Sequence, residues 1–351
     1  MGDMNNYKCR GCGAPLAFDP ESGRLKCDFC GGSFDPEEYE LQEQSGEAAG
    51  QWGVAEGMKS YVCPSCGAEL ICDDSTAATS CPYCGNNAVM PGQFSGTQKP
   101  EFILPFKVTK NQAMAALKAH YKGKFLLPKA FKRENHVQKI QGVYVPFWLF
   151  DRDASGEAKY EATNSRRHRE GDYMITETEH YQVSRAGNIS FRKIPVDASS
   201  KMPDGYMDSI EPYHYEELKD FSPSYMPGYL ADKYDVDRKA ATSRADLRCE
   251  NSLESALRNT ITGYDNVNQV EKNIQVKPRQ AHYAMLPVWL LSTKWRDKIY
   301  LFAINGQTGK LVGDLPEDKA KLHGIFWSIF LIGGLVLTLL FGDSIGNLLM
   351  E

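Results

Sequence analysis

No Gly-x-Gly-x-x-Gly turn, phosphate loop, His-Glu-x-x-His pair or Gly-x-Ser-x-Gly elbow occurs in this sequence. Their absence removes the common dinucleotide, nucleotide-triphosphate, zinc-protease and serine-hydrolase readings. Nor does the chain open on an apolar leader. Residues 1–17 are polar and hold two cysteines, so a reducing compartment is expected and structural disulfides are not. Positive charge is missing where a nucleic-acid reader would need it, because phosphate affinity comes largely from Lys and Arg. Residues 61–90 have none, against Glu69, Asp73 and Asp74. Residues 1–34 balance Lys8, Arg10, Arg24 and Lys26 with Asp3, Asp19, Glu21 and Asp28. Charge of either sign is absent from residues 324–342, GIFWSIFLIGGLVLTLLFG.

What is present is cysteine in a repeated pattern. Eight of the ten fall into Cys9-x2-Cys12-x14-Cys27-x2-Cys30 and Cys63-x2-Cys66-x14-Cys81-x2-Cys84. Two Cys-x-x-Cys knuckles closing such a loop supply four soft ligands to a tetrahedral Zn²⁺ in the zinc-ribbon arrangement, one ion per set. Gly13, Gly31, Gly67 and Gly85 each follow the second cysteine of a knuckle, where the backbone must turn through positive φ. Redox Cys-x-x-Cys pairs come singly rather than as two matched sets. An iron site of the rubredoxin type uses the same ligands, and ligand identity alone does not separate it from zinc. Cys72 stands at the repeat position of Phe18 and is read as core-facing, and Cys249 as a structural residue in a helix.

The uncharged run near the other end reads as a transmembrane helix, since nineteen residues at about 1.5 Å each span roughly the 30 Å of a bilayer core. Lys319 and Lys321 precede it, whereas Asp343 and Glu351 follow. The positive-inside rule then keeps the N-terminal body cytoplasmic and leaves residues 343–351 as a short extracytoplasmic tail of a single-pass protein of the cell membrane. Trp327 suits an interfacial anchor.

The expected organisation is a first ribbon (1–34), an acidic linker (35–59), a second ribbon (60–91), a body (101–318) and the membrane helix (324–342). The linker carries seven acidic residues and one basic, as a solvated segment or frayed helix would. The body reads as α+β: a mixed or antiparallel sheet with two or three helices. Thr109 and Gln112 form a capping-box pair before a helix over 110–121, with Ala113, Ala116 and Leu117 inward. A longer helix is expected over 237–262, with Ala240, Leu247, Ala256, Leu257 and Ile261 inward. Two aromatic strands, residues 142–150 and 283–291, both contain Pro-x-Trp-Leu and suggest a duplicated sheet unit, with the prolines at strand edges or starts. Asn305-Gly306 is read as a tight hairpin turn through positive φ. Arg166 to Arg169 fits a hairpin surface, the acids from Asp204 to Asp220 a solvated face, and the seven histidines packed or surface positions. No catalytic residue is assigned.

The ribbon pair together with ILPFKVTKNQA (103–113), GVYVPFWLFD (142–151), YQVSRAGNISF (181–191), PVDASSKMPDGYMDSIEPY (195–213) and NGQTGKLVGDLP (305–316) resembles a bacterial family of membrane-anchored, transcription-factor-IIB-type double zinc-ribbon proteins. The pattern is similar to the component found with phage-shock-protein-A-like, SPFH (flotillin-like) and TPM-domain proteins in envelope stress. The resemblance implies a membrane scaffold that recruits a cytoplasmic SPFH partner together with a second membrane protein, and only the eight cysteines carry over as functional positions. Each four-thiolate zinc centre adds two formal negative charges, so the ribbons would repel a phosphate backbone. The charge pattern thus favours a protein partner over nucleic acid. Two other classes stay open on sequence: a membrane-tethered nucleic-acid-binding regulator, and a body domain that is an enzyme or ligand sensor of unrecognised type.

Overall fold

The computed structural model describes residues 7–43, 58–63, 66–73, 81–83, 90–92, 98–129, 131, 140–296 and 298–348. Near the N-terminus, β1 (Ala17–Asp19), β2 (Arg24–Lys26) and β3 (Ser33–Phe34) make a small antiparallel sheet, followed by α1 (Pro36–Glu43). Next come β4 (Met58–Val62), β5 (Glu69–Asp73), β6 (Met90–Gly92), β7 (Phe102–Ile103) and α2 (Lys110–Tyr121). Two long strands, β8 (Gln141–Glu170) and β9 (Tyr173–Asp197), precede α3 (Asp204–Ser209), β10 (Lys219–Asp220), β11 (Leu230–Asp232) and α4 (Arg238–Asn259). The chain closes through β12 (Asn266–Trp295), β13 (Lys298–Asn305), β14 (Leu311–Gly313) and α5 (Lys319–Leu348). Strands β4 to β14 form one mixed sheet of eleven, with β10, β7, β12, β8, β11, β5, β4 and β6 as successive neighbours. The α+β reading therefore holds.

The two Pro-x-Trp-Leu segments face each other at the centre of this sheet. Val145 pairs with Leu286, Pro146 with Met285 and Pro287 with Tyr144, so a local twofold axis passes between Val145 and Leu286. Each segment repeats the other's contacts. The indole of Trp148 donates to the Val236 carbonyl at 2.9 Å and that of Trp289 to the Val108 carbonyl at 2.8 Å. Val236 and Val108 both stand immediately before a helix N-cap, Asp237 for α4 and Thr109 for α2. The amide of Ala198 donates to Pro146 at 2.9 Å and that of Gly306 to Pro287 at 2.8 Å. Strand β7 runs parallel to β12 and β11 parallel to β8, so each half lends its short strand to the other.

The prolines are not at sheet edges or strand starts. Pro146 sits where β8 changes partner from β11, ending at Tyr144, to β9, beginning opposite Phe147. Pro287 sits where β12 passes from β7 to β13. A residue without an N–H costs the ladder least at such a gap.

Helix α2 keeps its expected bounds and capping box, with Thr109 N to Gln112 Oε1 at 2.8 Å and Gln112 N to Thr109 Oγ1 at 3.3 Å. On α4 the buried row is Ala241, Ala245, Cys249, Leu253 and Leu257, continued by Ile261. Ala240, Leu247 and Ala256 are exposed, contrary to the sequence reading. A helix lying on a sheet buries one i, i+4 row, and the small residues at the start of this one let it approach β8 and β9. Cys249 is structural, as expected, and burial pushes its thiol up to about 11.

The Asn305 loop also departs from expectation. Positive φ falls at Gly309, not at Asn305-Gly306, and the Gly309 amide returns to the Asn305 carbonyl at 2.9 Å. The Asn305 side chain caps the amides of Gln307 and Thr308, both at 2.9 Å. Gly306 is needed for space, since a Cβ there would stand 2.7 Å from both Phe106 and Pro287.

The acids from Asp204 onward are less bare than expected. Arg244 bridges Asp197, Asp204 and Asp208, and Arg248 pairs with Glu211 at 2.9 Å. Arg166 to Arg169 lie exposed near the tip of the β8–β9 hairpin, as anticipated. Among the described residues, α5 is the one helix long and apolar enough to cross a membrane, and none of its apolar window from Lys319 to Val336 is buried against the body. It runs through Leu348, beyond the expected end of the membrane segment at 342, and residues 349–351 lie outside the described residues.

Candidate metal centres

The first cysteine set is assembled by two knuckles of one design. In the first, the Cys9 amide donates to Ala14 at 2.7 Å and the Gly13 amide to Cys9 at 2.7 Å, with Gly13 at φ 73°. The second repeats this: Cys27 to Gly32 and Gly31 to Cys27, both at 2.9 Å, with Gly31 at φ 74°. The sulfurs converge, with Cys9 and Cys30 Sγ 3.4 Å apart and Cys12 and Cys27 Sγ 3.5 Å apart. Four sulfurs each about 2.3 Å from one ion would stand about 3.8 Å apart. The set therefore fits a single metal ion. Gly32 helps to make the room, because a Cβ there would come within 3.3 Å of Cys9 Sγ.

Electrostatics point the same way. Burial pushes the Cys9 thiol up, but hydrogen bonds from the Gly11 and Cys12 amides and from the Cys30 and Cys12 side chains bring it down to about 7. The Ala14 amide draws the Cys12 thiol down, yet Cys30 and Cys27 carry it up to about 12. Cys30 is raised in the same manner by Cys9 and Cys27 against the Gly32 amide. One thiolate thus forms readily and further ones are resisted by their neighbours, a resistance that a bound dication removes.

In the second set, Cys63, Cys66 and Cys81 are brought together, with their sulfurs within 4.8 Å of one another. Its knuckle matches the other two: Cys63 amide to Ala68 at 2.9 Å, Gly67 amide to Cys63 at 2.8 Å, and Gly67 at φ 71°. Cys66 and Cys81 Sγ are 3.6 Å apart. Cys84, Gly85 and the expectation that they complete the site lie outside the described residues, as does the side chain of Cys72. Cys63 and Cys81 are buried and Cys66 half-buried, whereas Cys12 and Cys30 of the first set are exposed. No histidine joins either cluster among the described residues.

Both sets are seated on the body rather than held away from it. Phe18 of β1 donates its amide to Pro227 at 3.0 Å and meets the Tyr225 ring edge-on at 5.4 Å. Tyr225 donates to Glu37 at 3.1 Å, and Lys219 pairs with Glu37 at 3.2 Å, so α1, expected as linker, contributes to the contact. The second set is joined more firmly. Strand β5 pairs antiparallel with β11, Ile71 opposite Ala231, and β11 pairs in turn with β8. Lys233 bridges to Glu69 at 2.8 Å, and the Lys201 amine donates to the Cys66 carbonyl at 3.3 Å.

Sequence reasoning missed Lys201, Asp232 and Tyr83 as neighbours of the second cluster. Asp232 is buried at 1% exposure. Burial pushes its carboxyl up to about 7, while Ser199 and Tyr83 pull the other way. Neither Asp232 Oδ2 nor Tyr83 Oη completes a hydrogen bond among the described residues. An acid in the apolar run Tyr229-Leu-Ala-Asp232 was the one available signal.

No family model and no solved structure matches the chain. It is 37% identical over 334 residues to the uncharacterized protein YdjG of Bacillus subtilis (strain 168), an alignment covering 95% of this chain and 96% of that protein. End-to-end similarity of this degree means that the chain belongs to the same family as YdjG.

Proposed function

We propose that this chain is a membrane-anchored scaffold that holds Zn²⁺ in two four-cysteine ribbons and uses them to bind a protein partner at the cytoplasmic face. Cys9, Cys12, Cys27 and Cys30 would hold one ion, and Cys63, Cys66, Cys81 and Cys84 the other. The ion supplies cross-linking, not catalysis: it ties together units too small to sustain a core of their own. The observation that carries the reading is the knuckle found three times with the same hydrogen bonds and the same positive-φ glycine, in a chain that also bears a bare apolar helix. Thiolate-only sites favour zinc over harder cations.

Helix α5 would cross the cell membrane with the body cytoplasmic, because Lys319 and Lys321 precede it and Asp343 follows. The partner class comes from the resemblance described above: an SPFH-type protein, with a second membrane protein in the assembly. Charge supports a protein partner over nucleic acid. The second ribbon segment offers no cation to a phosphate, and each zinc–thiolate centre would add negative charge.

Elemental analysis and co-purification from detergent-solubilised membranes test the reading together. The wild-type chain should carry two zinc ions and a specific companion. The Cys63→Ser, Cys66→Ser double variant should carry one zinc, remain in the membrane fraction and lose the companion. A companion that stays with the one-zinc variant would remove the second ribbon from the docking role.

A further inference from the structure

Where α5 leaves the body, the surface opens into a cavity of about 990 Å³. Lys124, Lys298 and Lys319 line it together with Phe125, Leu127 and Tyr300. We propose that this cavity is a binding site for the headgroup of an anionic phospholipid in the leaflet that α5 enters.

The site is built by three segments that the fold ties together. The loop after α2 turns at Gly123, with φ 76°, and is pinned to the head of α5 by the Asp318 amide, which donates to the Leu126 carbonyl at 2.8 Å. Asp318 in turn caps the helix, accepting from the Lys321 amide at 3.3 Å. Tyr300 of the lining is backed by Phe131, which meets Tyr121, Trp295 and Tyr300 edge-on. Lys298 lies with its amine 5.1 Å from the centre of the Tyr300 ring.

Charge and position select the occupant. Lys124, Lys298 and Lys319 are exposed, and among the described residues none of them has an ion-pair partner. The lining carboxylates are Asp314 and Glu317, and Asp314 already accepts from Tyr206 at 3.0 Å. Three lysines against two carboxylates leave the lining with one net positive charge. Lys122, at the end of α2, is also exposed. Lys319 is five residues before Gly324, where the uncharged run begins, so the cavity lies within roughly 8 Å along the helix axis of the apolar span. Clustered lysines at that depth are drawn to the anionic leaflet. Phe125 is 70% exposed beside Lys124, an arrangement that suits an aromatic ring inserted among glycerol and acyl groups below the phosphate. A soluble anion would use the lysines and leave Phe125 in water. A lipid uses both.

This inference rests on α5 spanning the membrane and on nothing about the cysteine clusters or a partner. Retention of the wild-type chain in alkaline-washed membranes checks the first point separately. The full-length chain in phosphatidylcholine nanodiscs would then be titrated with dioctanoyl phosphatidylglycerol while its melting temperature is followed. A saturable rise that weakens with added salt is expected. Lys124→Glu with Lys298→Glu should lower the apparent affinity at least tenfold, whereas Arg166→Glu with Arg167→Glu, an equal charge change at the hairpin tip, should leave it unaltered. Circular dichroism checks that the variants fold, and Lys124→Gln with Lys319→Gln replaces the first pair if it does not. An equal response to dioctanoyl phosphatidylcholine or to inorganic phosphate, or an undiminished response in the lysine variants, would overturn the assignment.

Discussion

Asp232 shows what one buried carboxyl does to the pH dependence of this fold. Its pKa is raised by burial to about 7, so the folded state holds a proton that the unfolded chain releases near pH 4. Between those values the unfolded state binds fewer protons, and stability falls as pH rises. Above about 7 the penalty is constant. Asp232→Asn removes this contribution, so the wild-type melting temperature should drop relative to the variant between pH 4 and pH 7 and then run parallel to it. Asp197, raised to about 6 by burial despite Arg244, titrates in the same window, but it is present in both proteins. Thiol titration at the cysteine clusters is likewise shared. Parallel curves through the whole range would show that the Asp232 carboxylate is solvated in the fold.

At the level of elements, β11 is the splice between the second cysteine set and the body. Only three residues long, it pairs with β8 on one side and β5 on the other, and the Lys233 amide extends the contact to Glu69 at 3.2 Å. Removing the proposed metal should therefore loosen more than the knuckles. After chelation, amide exchange should quicken at Leu70, Ile71 and Lys233, while Phe302 to Ile304, paired between β12 and β14, stay protected. Uniform protection before and after chelation would mean that the sheet holds β5 without help from the ion.

How far these elements could be read in advance depends on how local their causes are. The knuckles, the Thr109–Gln112 cap and the aromatic strands are written in residues within a few positions of one another. Strand β11 is too short for a period-2 pattern, and its two partners lie far away in the chain. The prolines misled for the same reason: Pro146 and Pro287 sit mid-strand at gaps created by a change of neighbour. On α4, a hydrophobic count put Leu247 inward, but the sheet selected the row of Ala241, Ala245 and Cys249.

Across the whole molecule, the two halves of the body meet on the axis between Val145 and Leu286; the second cysteine set joins the sheet through β5 and β11, the first packs against Tyr225 and Pro227, and α5 is tied to the loop after α2. The proposed orientation rests on a small charge difference: Lys319 and Lys321 on one side, Asp343 and Glu351 on the other. Alkaline phosphatase joined after Glu351 should be active in a bacterial host, because that enzyme folds only outside the cytoplasm, and a fluorescent protein joined there should be dark. Replacing Lys319 and Lys321 with Glu while changing Asp343 and Glu351 to Lys inverts the charge difference, so part of the population should invert and phosphatase activity should fall. An inactive phosphatase fusion on the wild-type chain would place the C-terminus in the cytoplasm and overturn the proposed orientation, and release of that chain by an alkaline wash would further make α5 an interfacial helix instead of a span.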